Sequence, residues 1–421
     1  MPKSGTRFER PRTSAVLLLG PAFVAAIAYV DPGNVAANLT AGARYGDLLL
    51  WVLVLANAIA VLVQYCSAKL GLVTGQSLAE HLGDRLRTWP RRLYWLQAEL
   101  VAAATDVAEV IGGAIALHLL FGIPLWIGGI IVGVVAIAIL TIQSRRGQRA
   151  FELTIIGLLA IIVIGFVFGL VVSGFDLGEA AAGLVPRFEG TDSVLLATSM
   201  LGATVMPHAI YLHSALARDR HLGNAVARDP RGAVVEPGRM RTLLRATKID
   251  VFAALVVAGA VNIAMLLLAA SALRDVPGTD TIEGAHAAIE AALGPGVAIV
   301  FAIGLLASGL ASSSVGTYAG QSIIGGLLKV RVPIMARRLV TLVPAVVILA
   351  FGVDPTWALV LSQVVLSFGI PFALIPLVRA TGSVRVMGRW VNPVWLRVLG
   401  WVSVAIITVL NALLIVLVIT G

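Results

Sequence analysis

The chain has 421 residues and a formal net charge of +9, with 59% hydrophobic and 13% charged residues. A water-soluble domain is about half apolar and about a quarter charged, so this composition excludes a water-soluble protein of this size. Its apolar runs have about the 20-residue length of a membrane-spanning helix, whereas a porin-like barrel would show alternating strands of about 10 residues. The single cysteine, Cys66, excludes an internal disulfide and a cysteine metal site.

Taken in chain order, the apolar runs predict an all-α integral membrane protein with eleven transmembrane helices. The predicted spans are residues 15–43, 47–70, 93–120, 124–142, 151–173, 193–217, 249–272, 296–328, 335–352, 356–379 and 395–419. We interpret residues 1–421 as a single polytopic membrane domain that begins with a short cytoplasmic tail (1–14). The first run also resembles a signal peptide, but it continues past a Pro-Gly pair and many further spans follow it.

The basic residues alternate between the two sides of the predicted bundle. The N-terminal tail and every second connection together hold 28 of the 31 Lys and Arg residues, and the other side holds only Arg44, Arg187 and Arg274. Positively charged connections stay in the cytoplasm, so we expect a plasma (inner) membrane protein with a cytoplasmic N-terminus and an extracytoplasmic C-terminus. Basic residues at that surface lie near anionic lipid, which explains the net charge without a nucleic-acid partner.

Two of the predicted helices are interrupted near the middle of the membrane. Span one contains Asp-Pro-Gly-Asn at residues 31–34, and span six contains Met-Pro-His at residues 206–208. Proline lacks a donor N–H and glycine lets the backbone unwind. Unpaired backbone in hydrocarbon costs several kcal/mol per group and is tolerated only inside protein or beside a wet cavity. Ordinary proline kinks could explain either interruption alone, but they explain a polar pair poorly.

The positions of the two interruptions predict an internal symmetry. Residues 15–173 and 193–379 would form two repeats of five helices, each with its first helix broken, and helix eleven (395–419) would lie outside both. Because five is an odd number, the second repeat starts from the opposite side of the membrane and is inverted. Broken helices at corresponding positions of inverted repeats are typical of transporters that hold their substrate near the midplane.

The polar groups at the interruptions predict a metal site. A carboxylate in the middle of a membrane is costly and is by default functional, and Asp31 lies beside the amide of Asn34. Unwinding also frees backbone carbonyls, such as those of Ala28 and Ala203. Met206 adds a thioether, and a soft sulfur shifts the preference of an oxygen site from Mg²⁺ or Ca²⁺ toward Mn²⁺, Fe²⁺ or a neighbouring metal. The alternative for Met206 is a buried side chain that only packs.

Together these motifs resemble those of the Nramp family of proton-coupled divalent metal transporters. Residues 316–321 (Gly-Thr-Tyr-Ala-Gly-Gln) and 362–364 (Ser-Gln-Val) look like further motifs of that family. The resemblance implies a LeuT-like fold and import of Mn²⁺ or Fe²⁺, or of ions such as Cd²⁺ and Co²⁺, with H⁺ as co-substrate. Magnesium-transporting relatives lack the methionine, so Met206 argues against that branch. We expect a monomer with no permanently bound cofactor. The metal ligands that the resemblance implies are Asp31, Asn34, Met206, the carbonyls of Ala28 and Ala203, and, in some states, Gln363.

Span three carries three acids on one helix face. At about 100° per residue, Asp106 lies about 20° and Glu109 about 80° from Glu99 around the helix axis. Static salt bridges are the favoured interpretation for Glu99. For Asp106 and Glu109, the resemblance favours a proton path that also includes Asp31 and His208. The candidate basic partners of these acids are His208, His213, Arg220, Arg337 and Arg338.

Three other functions compete with metal transport. An amino-acid or other small-solute symporter of the same architecture would bind a carboxylate, which the fixed charge of Asp31 repels. A metal channel needs a continuous weak-binding pore, whereas paired broken helices favour alternating access. An enzyme is disfavoured because the sequence shows no nucleophile–base pair, no zinc-protease motif and no phosphate-binding loop.

The remaining polar residues are less informative. The serines at 312–314 could hold sodium in a LeuT-like fold, but small polar residues also pack helices. We interpret the other histidines as surface or interfacial residues: His81, His118, His221 and His286.

Overall fold

A computed structural model describes residues 20–228, 236–274, 276–330 and 332–420. Within these ranges the chain forms helices and short connections, without a β-strand. The helices are α1 (Pro21–Ala26), α2 (Pro32–Tyr45), α3 (Leu50–Thr74), α4 (Leu78–Arg85), α5 (Thr88–Phe121), α6 (Leu125–Arg146), α7 (Gln148–Ser173), α8 (Leu177–Ala182), α9 (Gly190–Thr204), α10 (Pro207–Arg228), α11 (Pro237–Ala272), α12 (Ile282–Leu293), α13 (Pro295–Leu328), α14 (Ile334–Ala350), α15 (Pro355–Thr381), α16 (Val384–Met387) and α17 (Val394–Thr420). The predicted tail (1–14) and the start of span one (15–19) lie outside the described residues.

Each predicted span contains helix in the described part of the chain, and nine helical segments there are long and apolar enough to cross a membrane. One of the nine, Pro32–Thr74, combines α2 and α3, while Pro21–Val30 is a shorter apolar helix. Helix α14 has 17 residues and contains Pro344, so it is also short for a crossing. The all-helical membrane fold is therefore confirmed, and the count of eleven crossings stays a prediction.

The interrupted helices lie at the centre of the bundle. In the most apolar stretch of Gly190–Leu222, which includes the second interruption, 94% of the residues are buried inside the protein, against 33% for Gln148–Ser173. The outer helices therefore turn apolar side chains such as Ile164 and Val171 outward, where lipid can cover them. Polar groups at the interruptions are surrounded by protein on all sides.

A distant carboxylate caps the start of α1. Asp250 of α11 accepts hydrogen bonds from the backbone N–H groups of Gly20 (3.1 and 3.2 Å) and Ala22 (3.0 Å). The first N–H groups of a helix have no partner within the helix, so a side chain from elsewhere must satisfy them when the helix start is buried. Asp250 thereby fixes the short helix that leads into the first interruption.

Helix α4 lies in a connection where hydropathy predicts only a loop. It begins with a capping box in which Glu80 N–H donates to the Ser77 hydroxyl (3.2 Å) and Ser77 N–H donates to the Glu80 carboxylate (2.8 Å). His81 on this helix is only 5% exposed, so the prediction of a surface or interfacial histidine is wrong at this position. Burial, together with the nearby Arg85 charge, lowers the pKa of His81 to about 4.

Candidate metal site

The first interruption separates α1 from α2 at Asp31. The backbone of Asp31 is extended (φ −73°, ψ 168°), and its side chain caps the start of α2. One carboxylate oxygen accepts hydrogen bonds from the backbone N–H of Asn34 (2.9 Å) and from its side-chain amide (2.7 Å). Both side chains are fully buried. The carboxylate therefore lies inside the protein, held by the motif to which it belongs.

Other helices satisfy the backbone carbonyls just before this carboxylate. The amide of Asn262 on α11 donates to the carbonyl of Tyr29 (2.7 Å), and the hydroxyl of Ser308 on α13 donates to the carbonyl of Val30 (2.6 Å). These contacts offset the cost of unpaired backbone in an apolar interior. Ser308 lies one helical turn before the serines at 312–314, and the Ser312 hydroxyl donates to the carbonyl of Ser308 (2.8 Å).

The second interruption lies between α9 and α10 and contacts the first directly. Helix α9 ends at Thr204 and α10 begins at Pro207, with Met206 fully buried between them. The side-chain amide of Asn34 donates to the carbonyl of Ala203 (2.9 Å), and the Thr204 hydroxyl donates to the Asn34 amide oxygen (3.4 Å). A single side chain thus joins the ends of both broken helices.

Helix α15 provides a third side of the site. The amide nitrogen of Gln363 lies 3.4 Å from the second carboxylate oxygen of Asp31, while the amide oxygen of Gln363 has no hydrogen-bond partner among the described residues. Two glycines allow α15 to pack this closely against the interruptions. A Cβ on Gly33 would overlap the Gln363 side chain, and a Cβ on Gly202 would overlap the Gln363 backbone carbonyl.

The six candidate ligands are all buried, each at most 1% exposed, and they come from the two interruptions and α15. Contacts join four of them directly: Asp31, Asn34, Ala203 and Gln363. They offer a carboxylate, two side-chain amide oxygens, two backbone carbonyls and a thioether, a mixed set that suits a first-row transition metal better than Mg²⁺. No group of three or more His, Cys, Asp or Glu side chains that could hold a metal ion occurs in the described ranges, and Asp31 is the one carboxylate among the six candidate ligands.

The acids of α5 form an ion-pair network with α14. Arg337 lies 3.2 Å from Glu99 and 3.3 Å from Asp106, and Arg338 lies 3.9 Å from Asp106. Glu109 is buried, and a Cβ on Gly316 of α13 would lie 2.8 Å from its carboxylate and 3.0 Å from that of Asp106. The shared face predicted for these acids therefore packs against α13, with the two arginines at one end.

The other candidate partners of the acids lie in different surroundings. His208 Nδ1 is 3.4 Å from the Thr105 hydroxyl, next to Asp106 in the chain. His213 instead lies 2.7 Å from the Gln64 amide oxygen, and Arg220 lies 3.5 Å from Glu152 of α7. The structure thus brings Arg337, Arg338 and His208 to the α5 acids, and places His213 and Arg220 in contact with other helices.

Sequence reasoning missed the polar contacts around α1. Gln64 of α3 donates a hydrogen bond to the Tyr29 hydroxyl as well as contacting His213. Asn38 donates to Asn262 (3.0 Å). The sequence does mark Gln64 and Asn262 as unusual, because they are amide side chains in the middle of apolar runs. Their position in these runs does not identify their hydrogen-bond partners, which come from other helices.

The chain matches the family model for natural resistance-associated macrophage protein-like (Nramp) proteins over residues 22–417. It is 58% identical over 423 residues to the divalent metal cation transporter MntH of Mycobacterium tuberculosis, a match covering 100% of this chain and 96% of that protein. The solved structure of a manganese transporter from Eremococcus coleocola aligns with a TM-score of 0.82 and 29% identity, over 98% of this chain and 87% of that one. MhsT, solved with L-phenylalanine, aligns with a TM-score of 0.58 and 16% identity over 93% of this chain and 98% of that one, and shares the fold alone.

Proposed function

Since this chain belongs to the Nramp family, and so is a membrane transporter and not an enzyme, we propose that it imports Mn²⁺ or Fe²⁺ together with protons. Ions of similar chemistry, such as Cd²⁺ and Co²⁺, are further expected substrates. The proposal includes alternating access in a LeuT-like inverted five-plus-five arrangement, with a cytoplasmic N-terminus. The similarity to MntH and to a manganese transporter supports the import of metal, and the fold shared with MhsT supports the arrangement of the helices alone.

The contact of Asn34 with both interruptions carries this proposal. Its side-chain NH₂ group donates to an oxygen of Asp31 and to the carbonyl of Ala203, which belong to different broken helices. A cation in the position of that NH₂ group would meet the same two oxygens. Rotation of the Asn34 amide then turns its own oxygen toward the cation, because the two ends of an amide differ only in donating or accepting. Binding of the metal would thus link the two repeats.

Proton coupling follows from the chemistry of the Asp31 carboxylate. A metal binds the ionised form of its ligand, so binding of M²⁺ to a protonated Asp31 releases the proton. We infer that this proton leaves through Glu109 and Asp106 toward Arg337 and Arg338, with His208 beside the path. Separate routes for metal and proton keep the proton from blocking the metal. Glu99 serves as a static partner of Arg337, and we assign no proton step to His213 or Arg220.

The direct test of this function is uptake into proteoliposomes of Mn²⁺, Cd²⁺, Ca²⁺ and Mg²⁺, with the internal pH recorded. We expect uptake of Mn²⁺ and Cd²⁺, weak uptake of Ca²⁺ and Mg²⁺, and acidification of the lumen during metal entry. Titration calorimetry with Mn²⁺ and with amino acids tests the small-solute alternative. Binding of an amino acid without binding of Mn²⁺ would overturn the proposal.

Replacement of Glu109 by glutamine is expected to separate proton flux from metal flux. The amide keeps the shape of the buried side chain but cannot carry the proton, and loss of a positioned proton-transfer group costs about 100-fold or more in rate. Lumen acidification during Mn²⁺ entry should fall to background while part of the Mn²⁺ uptake remains. Glu290→Gln, at an exposed position of α12, is the matched control. Unchanged acidification in Glu109→Gln would remove Glu109 from the path.

Replacement of Gly33 by alanine is expected to weaken Mn²⁺ binding as much as Gln363→Ala does, by about tenfold. The new Cβ would occupy the space of the Gln363 side chain, which can rotate away from Asp31. In calorimetric titrations, the double variant should therefore bind Mn²⁺ no more weakly than either single variant. Gly157→Ala, at a position with no neighbouring atom within 4 Å, is the control. Additive losses would show that Gly33 acts independently of Gln363.

A further inference from the structure

The connection between α15 and α17 presents a surface of positive charge that no carboxylate of the described chain neutralises. The exposed cations of this connection and of the helix ends beside it are Arg379 near the end of α15, Arg385, Arg389, and Arg397 near the start of α17. The sequence has no Asp or Glu from residue 355 to residue 421. None of the ion pairs found among the described residues includes these arginines. We call these four arginines, together with Lys69, the basic surface.

A buried cation, Lys69, also has no carboxylate partner, so the lack of negative charge is not confined to the exposed arginines. This lysine near the end of α3 is 5% exposed, and its ammonium group donates to the Asn392 side-chain oxygen (2.7 Å). Its other close partner is the ring of Tyr65, whose centre is 5.8 Å away. Both partners are neutral. A buried ammonium without an anion is costly, so a negative charge from outside the chain would stabilise this region.

Asn392 connects the buried lysine to the exposed arginines. Its N–H donates to the carbonyl of Thr381 (3.0 Å), and its side-chain amide donates to Cys66 of α3 (3.3 Å). Asn392 lies between Arg389 and Arg397 in the chain. An anion bound by these two arginines would therefore be held by the same segment of chain that holds Lys69.

Aromatic side chains indicate the depth of this surface in the membrane. The guanidinium of Arg379 lies 5.9 Å from the centre of the Trp401 ring, and that of Arg389 lies 5.2 Å from the Trp390 ring. Trp395, which precedes Arg397 by two residues in the chain, is 61% exposed. Tryptophan is enriched where hydrocarbon meets the headgroups, so we expect these arginines at the level of the lipid phosphates.

We propose that the basic surface binds the headgroups of anionic phospholipids and thereby ties α17 to α3. A guanidinium matches a phosphate with two parallel hydrogen bonds, and a bound phosphate supplies the negative charge that Lys69 lacks. Exposed apolar side chains next to the arginines, such as Val384 and Val394, face the acyl chains of the same lipid. This role is independent of metal transport.

Lipid binding can be measured with full-length protein in phosphatidylcholine nanodiscs that contain increasing amounts of brominated phosphatidylglycerol. Bromine quenches nearby tryptophans, and we expect stronger quenching than with brominated phosphatidylcholine. Each Arg→Gln change in the basic surface should weaken the preference for phosphatidylglycerol about fivefold. Lys329→Gln is the control, because its ammonium pairs with Asp84 at 2.6 Å. A variant with all four arginines replaced that keeps the wild-type preference would overturn the proposal.

The Lys69→Met variant separates lipid binding from a purely structural role of the lysine. Wild-type protein should show a higher unfolding temperature in phosphatidylglycerol than in phosphatidylcholine. Lys69→Met should lose part of this increase, and in phosphatidylcholine it should be at least as stable as wild type, because an uncompensated buried charge is gone. An equal loss of stability in both lipids would mean that Lys69 only holds Asn392, and would exclude it from the lipid site. Should this variant fail to fold, the arginine measurement decides alone.

Discussion

Replacement of Asp31 by alanine is expected to abolish Mn²⁺ uptake while the protein still folds. The change removes the carboxylate at the interruptions and leaves only neutral oxygens and a thioether to hold a doubly charged ion. Changes in groups that merely support a metal ligand cost about 10- to 100-fold in affinity, so loss of a charged ligand should exceed about 100-fold. Folding should survive, because removal of a buried charge also removes its desolvation cost. The measurement is the initial rate of ⁵⁴Mn²⁺ entry into proteoliposomes, with circular dichroism as the check on folding.

The matched control for this variant is Asp176→Ala, since that carboxylate caps α8 on the exposed surface. It should transport Mn²⁺ at the wild-type rate. Asp31→Asn keeps the shape of the side chain without its charge, and it should be as inactive as the alanine variant. Normal uptake by a folded Asp31→Ala protein would contradict the proposed site.

Replacement of Met206 by alanine is expected to change which ions are transported more than how fast Mn²⁺ is transported. Cadmium is softer than manganese and gains more from a thioether ligand, so Cd²⁺ uptake should fall by about tenfold or more while Mn²⁺ uptake falls less. Ca²⁺ and Mg²⁺ should compete with Mn²⁺ more effectively, because the remaining ligands are all oxygens. The measurement is Mn²⁺ uptake by proteoliposomes with rising Ca²⁺ or Mg²⁺ outside.

Met200→Ala is the matched control for the sulfur. Met200 lies on α9 and, like Met206, is fully buried. Truncation of its side chain therefore leaves a similar cavity without changing the interruption. It should lower stability but leave the order of ion preference unchanged. Unchanged competition by Ca²⁺ in Met206→Ala would show that the sulfur does not select the metal.

The sequence predicted both interruptions well, and the reason is local. Proline and glycine act on their own stretch of backbone, so residues 31–34 and 206–208 reveal the breaks without any knowledge of their neighbours. The structure then places the motifs in contact through Asn34 and Ala203. Family membership, which the motifs indicated, is confirmed by the match over residues 22–417. The ligand and proton roles of single residues stay predictions.

Contacts between distant helices could not be predicted in the same way. The cap of α1 by Asp250 joins residues 230 positions apart, and Gln363 lies 332 positions from Asp31. Gln363 was predicted as a metal ligand only from the family resemblance. Helix α4 was not predicted because it is short and polar, whereas hydropathy detects long apolar runs. The predicted exposure of His81 was wrong because its burial depends on the helices that cover α4.

Asp106 is an intermediate case between these two. Helical periodicity placed Glu99, Asp106 and Glu109 on one face from local geometry alone. It could not choose among five basic partners, and the structure selects Arg337 and Arg338 through the packing of α14. Whether protons follow this network depends on rates, which Glu109→Gln tests.

The most direct test of the proposed metal site is anomalous diffraction from crystals of the protein containing Mn²⁺, recorded at the manganese absorption edge. We predict one strong peak within bonding distance of the Asp31 carboxylate and the Met206 sulfur, between α9 and the start of α2. A peak elsewhere would contradict it, for example in the 180 Å³ cavity lined by Asp192, Asp280 and Asp354.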